Sequence, residues 1–379
     1  MDRRHFLQLS VAGAAVAATP AVAAPSEPGR AAVSPTVEGE IAWYDVSKWG
    51  VEGRGWDDTE KYFDRFPKKA HGVVRDPVWN LSRNSAGMLS RFETDSPTVR
   101  VRYMLRSSSL ALPHMPATGV SGVDLYARDA HGEDRWLAVA FPTAQKVEAQ
   151  LASNVDPWPG GRLYTLYLPL YNGVETLEVG VPKGAQFRPV APRMLQPLVM
   201  YGTSILHGAC ASRPGIAYTA ILGRRLNRPV INLGFSGNGQ MEPEVGALLA
   251  ELDPCVYAID CLPNMTPEMV AQRTQPLVRQ LRAAHPETPI LLVEDRTLTN
   301  AEFYRGTREA HAKRRTALRE AYEALEKSGI RRLHYLRGDE QLGDDGEAAT
   351  DGSHPNDLGM VRYADAYEKA LRRILPKTQ

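Results

Sequence analysis

An excess of charge of either sign is missing from this chain. Its 379 residues carry 45 Lys and Arg against 44 Asp and Glu, so no global field attracts nucleic acid or an anionic membrane surface, and the expected partner is a small or neutral molecule. Cysteine is nearly absent too. Cys210, Cys255 and Cys261 can form at most one disulfide, and no CxxC or Cys/His spacing suggests a metal site, so no cofactor is implied. Positions 255 and 261 fall on the same face of an extended segment, which disfavours a bridge between them, and small buried thiols are expected. Extended apolar stretches are also missing: the one near the N-terminus falls short of the ~20 residues a spanning helix needs, so no integral membrane association is expected. Residues 234–239 lack both the Gly-Lys-Ser/Thr ending of a phosphate loop and the Gly-x-Gly-x-x-Gly spacing of a dinucleotide site.

What is present is enough chain for two domains. Arg3-Arg4-His5-Phe6-Leu7, the Ala-rich apolar residues 11–18 and the small-residue site Ala21-Val22-Ala23 read as an export signal of the twin-arginine type over residues 1–24, which places the protein in the periplasm or outside the cell. Residues 25–39 are rich in Ala, Pro, Ser and Glu and read as a linker. From residue 40 to 191 short extended runs alternate with turns, at 98–105, 122–127, 136–141, 162–168 and 175–181, with no strong 3.6-residue period. That rhythm predicts an antiparallel β-sandwich, jelly-roll-like in outline, as an accessory domain. All six tryptophans lie in this half.

The rhythm then changes. Apolar runs at 198–201, 230–233, 256–259, 290–293 and 333–336 read as buried parallel strands, separated by helical patterns at 217–226, 242–252, 267–284, 308–327 and 357–375. Residues 192–379 are therefore expected to form a three-layer, flavodoxin-like αβα domain of five parallel strands, with ligands at the carboxyl ends of the strands.

Four of those strand ends carry chemistry-bearing residues. Ser204 follows the first strand where a helix begins, so its hydroxyl and backbone N–H can address one space; a serine there also serves as an N-cap. It is not in a Gly-x-Ser-x-Gly elbow, which argues against an α/β-hydrolase. The second strand leads into Asn232-Leu233-Gly234-Phe235-Ser236-Gly237-Asn238-Gly239, where glycines can free a backbone donor. The third leads to Asn264, whose amide can donate to an oxyanion or simply close a turn. The fifth leads to Asp351-Gly352-Ser353-His354, an acid and an imidazole spaced so that one can orient the other.

Together these residues resemble the block pattern of the SGNH (GDSL-like) hydrolase family through Gly202-Thr203-Ser204, Gly237, Asn264 and Asp351-x-x-His354. The resemblance implies Ser204 as nucleophile, His354 as general base and Asp351 as orienting acid, with an oxyanion hole from the Ser204 N–H, Gly237 and Asn264. Two blocks depart from the family's pattern: Gly-Thr-Ser replaces Gly-Asp-Ser, and Leu-Pro-Asn-Met replaces Gly-x-Asn-Asp. Gly122-Val123-Asp124-Leu125-Tyr126 and Ala211-Ser212-Arg213-Pro214-Gly215 resemble the subgroup in which a sandwich with a Gly-x-Asp-Leu-Tyr motif precedes the hydrolase domain. The resemblance implies a secreted serine esterase that removes a small acyl group, such as acetyl, from a carbohydrate. A lipid or thioester hydrolase of the same family and a non-catalytic carbohydrate-binding protein are the alternatives. His207, Arg213 and Arg296 are candidate substrate contacts, and each could equally be a structural donor.

Overall fold

The computed structural model describes residues 33–375, so the expected export signal and residues 25–32 of the linker lie outside the described residues. The linker gives way earlier than the sequence suggested. Thr36–Glu38 forms strand β1, because across the turn Gly39-Glu40 its backbone meets β2 (Ile41–Asp45) in antiparallel register.

The sandwich packs two five-stranded antiparallel sheets. One has the order β1-β2-β9-β4-β7, with β4 (Val99–Leu105), β7 (Lys146–Ala152) and β9 (Val174–Pro182); the other has the order β10-β3-β8-β5-β6, with β3 (Leu89–Thr94), β5 (Asp124–Arg128), β6 (Asp134–Val139), β8 (Arg162–Tyr167) and β10 (Phe187–Val190). β4 shows the driving pattern: Val99, Val101, Tyr103 and Leu105 face the core while the arginines between them face outward. Short helices α1 (Asp76–Ser82) and α2 (Ala117–Val120) interrupt the strands.

The second half is a three-layer α/β unit. Strands β11 (Leu198–Gly202), β12 (Val230–Gly234), β13 (Val256–Asp260), β14 (Ile290–Val293) and β15 (Leu333–Leu336) run parallel in the order β12-β11-β13-β14-β15. The first four are buried at every residue, as expected of strands covered on both faces. Alternate side chains serve alternate layers. Val199, Tyr201, Ile231, Leu233, Tyr257 and Ile259 pack with α5 (Pro243–Leu249), α6 (Pro267–Ala284) and α7 (Arg305–Lys327). Leu198, Met200, Val230, Val256 and Ala258 pack with α4 (Tyr218–Arg225) and α8 (Asp357–Ile374). The two halves share these cores: Phe66, Val78 and Trp79 enter the first layer, and Met115, Val120 and Leu170 enter the second.

This order places the topological switch between β11 and β13, where crossovers diverge to opposite faces and leave a crevice at the carboxyl ends. All three cysteines are free. Cys210 and Cys261 are buried, whereas Cys255, which precedes β13 at the sheet's amino end, is partly buried against the α4/α8 layer.

Candidate active site

β11 ends at Gly202 and passes through Thr203 into the single-turn helix α3 (Ser204–His207). Thr203, the residue that departs from the family pattern, is buried and caps this turn weakly, its hydroxyl oxygen accepting from the Ile205 N–H at 3.4 Å. Ser204 is only 7% exposed, and its Oγ lies 2.8 Å from His354 Nε2. Behind it, the Tyr171 hydroxyl donates to the Ser204 carbonyl at 3.3 Å.

The imidazole is held from its other side. Asp351 Oδ2 lies 2.8 Å from His354 Nδ1, and Asp351 Oδ1 accepts from the Ser353 and His354 N–H groups at 3.0 and 2.8 Å. An ionised carboxylate only accepts, so Nδ1 carries the ring proton and Nε2 is left to accept from the serine hydroxyl. Partial burial alone would raise the Asp351 pKa. The His354 N–H and ring, with the Ser353 N–H, outweigh it and hold the carboxyl down to about 2. The loop is pinned at both ends: Thr350 N–H donates to the His354 carbonyl at 2.9 Å, and Asn356 caps α8 by accepting from Gly359 N–H at 3.1 Å.

Two further loops flank the serine. Gly237 has φ of +70°, where a β-carbon would meet no neighbour within 4 Å, so the left-handed backbone and not crowding favours glycine there. Asn264 ends a short 3₁₀ turn, and its Oδ1 accepts from Gly239 N–H at 3.2 Å. That bond joins the second and third loops and leaves the Asn264 Nδ2 group free to donate. Among the described residues, the N–H groups of Ser204 and Gly237 are likewise taken by no carbonyl or side chain. A serine hydroxyl bonded to an imidazole that a carboxylate orients is the pairing a nucleophile needs for acyl transfer.

The three candidate substrate contacts, which could equally be structural donors, each have protein partners. His207 is fully buried, stacked on Tyr171 with ring centroids 4.1 Å apart, and its Nε2 faces the Arg65 guanidinium at 3.4 Å. Burial first, and then the Arg65 charge, hold its pKa well below the ordinary histidine value, so it stays neutral. Arg213 pairs with buried Asp124 at 2.9 Å and donates to the Tyr126 hydroxyl at 2.6 Å, which makes it a tie to the sandwich. Arg296 is 5% exposed, paired with Asp295, and its Nε donates to the Ser353 carbonyl at 3.2 Å while a second nitrogen reaches the Ser353 hydroxyl. It therefore braces the acid–base loop from below. Replacing it with methionine is expected to lower kcat/KM by up to ~10² through misplacement of the imidazole, with lysine restoring part of the loss. Steady-state kinetics beside a thermal melt would check this, and a variant as active as wild type would exclude the brace.

Arg65 had no signal in the sequence. Arg65 is wholly buried, and without a carboxylate partner it spends its donors on the carbonyls of Leu81, Asn84, Asn232 and Gly234, at 2.6 to 3.1 Å. It anchors the start of the Gly237 loop to the first half of the chain. A groove of about 960 Å³, lined by Arg75, Glu242 and Arg273 among others, contains none of these site residues.

Comparison with known proteins agrees with the fold of both halves. Residues 195–372 match the model of the GDSL-like lipase/acylhydrolase family, and residues 41–187 match that of the Gly-x-Asp-Leu-Tyr N-terminus of SGNH-type esterases. No curated protein sequence matches the chain. Among solved structures, a protein assigned as a GDSL-like lipase from Bacteroides ovatus is similar at 34% identity and TM-score 0.84, over 88% of this chain and 98% of that one. A family two carbohydrate esterase from Cellvibrio japonicus shares the fold at 13% identity and TM-score 0.57, over 88% and 98%. An acetyl xylan esterase from Butyrivibrio proteoclasticus does so at 12% identity and TM-score 0.54, with the same coverage.

Proposed function

We propose, from the premise that this chain belongs to the GDSL-like lipase/acylhydrolase family of ester-bond hydrolases, that it removes a small acyl group, acetyl foremost, from a carbohydrate by a Ser204–His354–Asp351 acyl-enzyme mechanism. The continuous chain of hydrogen bonds from Ser204 Oγ through His354 to Asp351 carries the reading. Carbohydrate esterases of the same fold support the substrate class.

In the first step Ser204 Oγ attacks the ester carbonyl as His354 Nε2 takes its proton. Asp351, ionised throughout any working pH range, stabilises the imidazolium that results. The carbonyl oxygen becomes an oxyanion addressed by the Ser204 N–H, the Gly237 N–H and Asn264 Nδ2. As the C–O bond to the alcohol breaks, Nε2 returns the proton to the leaving oxygen, and the sugar departs as a neutral alcohol. Water then enters, His354 takes one of its protons, and hydroxide attacks the acyl carbonyl. Collapse breaks the bond to Ser204 Oγ, which takes the proton back from His354 Nε2, and frees the acid.

Acid release from acetylated xylan fragments, measured beside labelling of Ser204 by an organophosphonate, tests the function. Sugar binding with neither reaction would instead favour a binding protein. Replacing Asn264 with alanine is expected to reduce kcat by about 10²–10³ with little change in KM, because an oxyanion donor acts on the transition state. An unchanged kcat would remove Asn264 from the hole. Export through the N-terminal twin-arginine segment is part of the same proposal, tested by cleavage of the precursor on fractionation.

A further inference from the structure

Besides Tyr171, the β-sandwich half approaches the triad through the turn at residues 112–115. Leu112 and Met115 exchange backbone hydrogen bonds at 3.0 Å in both directions, closing a turn whose tip is Pro113-His114. Proline restricts the backbone immediately before the tip. The turn is also fastened to the hydrolase half. Met115 is 2% exposed within the α4/α8 layer and Leu112 packs against the same layer, while Thr118 just beyond donates to the Ser212 carbonyl at 2.6 Å. The strap then joins the serine's own support: Tyr171 N–H donates to the Val120 carbonyl at 3.1 Å, and the Tyr171 hydroxyl donates to Ser204.

A turn fixed this way sets the position of the His114 backbone. The His114 imidazole is exposed, with no protein hydrogen bond among the described residues, and its ring centroid lies 5.9 Å from that of His354 at a 35° tilt. The chemistry at His354 decides which half of the ester comes near this ring. Nε2 must hand its proton to the departing oxygen, so the alcohol half of the ester lies over the imidazole, while the carbonyl oxygen points away to the Gly237 and Asn264 donors. A neutral imidazole offers one donor and one acceptor, which suits a hydroxyl.

We infer that His114 binds the alcohol half of the substrate, through a sugar hydroxyl neighbouring the acylated one, and so makes the β-sandwich part of the active site. This rests on the esterase reading above. It also separates the sandwich's role from that of its tryptophans. Trp43, Trp49 and Trp79 are buried, and the exposed indole of Trp136 is tied to Asp124 and Arg213.

The test compares wild type with His114→Ala and His114→Gln on acetylated xylo-oligosaccharides and on p-nitrophenyl acetate, whose leaving group has no hydroxyl neighbours. His114 is exposed, so both variants should fold as wild type does. For the sugar ester, His114→Ala should raise KM and lower kcat/KM about ten-fold, the worth of one hydrogen bond to an uncharged group, and His114→Gln should recover part of it. For p-nitrophenyl acetate kcat/KM should stay within two-fold. The deacylation rate from a pre-steady-state burst should not move, because the alcohol has already left. Equal losses on both esters would assign His114 to the triad's geometry and overturn the proposal, as would no loss on either. Wild-type protein that cleaves p-nitrophenyl acetate but no acetylated sugar overturns the glycan reading together with this contact; sugar-ester cleavage unaffected in His114→Ala overturns the contact alone.

Discussion

Ser204→Ala is expected to lower kcat for any ester by about 10⁴–10⁶ while leaving the protein folded. The size follows from what the hydroxyl does: it is the atom that forms the covalent intermediate, and without it only the oxyanion donors and substrate binding remain to accelerate direct attack by water. The structure makes the substitution mild for stability. Ser204 Oγ has one protein partner, His354 Nε2, and the imidazole is already partly open to solvent, so water can replace the lost bond. Asp351→Asn should cost about 10⁴, because an amide can present its NH₂ to Nδ1 and favour the wrong tautomer at Nε2. Turnover of p-nitrophenyl acetate, mass spectrometry of the phosphonate adduct and a thermal melt check all three statements. A Ser204→Ala protein within ten-fold of wild type would move the nucleophile elsewhere.

How much of this was readable in advance depends on what kind of interaction held each residue. The five parallel strands were legible almost to the residue, because burial on both faces writes an uninterrupted apolar run. In the sandwich, β7 passed unnoticed. Its sequence, Lys-Val-Glu-Ala-Gln-Leu-Ala, is built of good helix formers, and pairing with β4 overrides that local preference. β3 was hidden for a related reason, since Arg91 and Glu93 break the apolar pattern while pairing with β8 and β10.

The site divides along the same line. Ser204, Gly237, Asn264, Asp351 and His354 could be singled out because each follows a strand, and the parallel sheet brings the ends of its strands to one rim. Direction was not legible. His207, Arg213 and Arg296 stand near the same strand ends yet turn inward to Arg65, Asp124 and Asp295. Two of those partners lie 142 and 89 residues away in sequence, where no local pattern can point. His114 is hidden for the same reason, because its neighbour His354 belongs to the other half of the chain.

Those distant partners also explain what the Gly-x-Asp-Leu-Tyr motif is for, and they set the largest expected effect on stability. Asp124 has no exposed surface. Its Oδ1 accepts from Trp136 Nε1 at 2.9 Å, and its Oδ2 accepts from Arg213 at 2.9 Å and from Gly215 N–H at 2.7 Å. Tyr126 completes the socket by donating to the Gly215 carbonyl at 3.1 Å, and the fit is so close that a β-carbon on residue 215 would stand 2.3 Å from the tyrosine ring. Burial raises the Asp124 pKa against the pull of Arg213 and the Gly215 N–H, so the carboxylate is strongly desolvated and depends on those partners. Asp124→Ala would leave the Arg213 charge and two donors facing apolar surroundings, at a cost of about 3–5 kcal/mol. The low end of that range is expected, because Arg213 keeps 18% of its side chain in solvent and can turn outward. The melting midpoint should fall by roughly 4–7 °C. The double variant Asp124→Leu with Arg213→Met should lose less than the two single changes combined, since removing both partners strands neither. Activity per folded molecule on p-nitrophenyl acetate should stay within a few-fold, because neither residue faces the triad. A midpoint within about 1 °C of wild type for Asp124→Ala, a bound of about 0.7 kcal/mol for a chain of this size, would mean that the motif is not the fastening between the two halves.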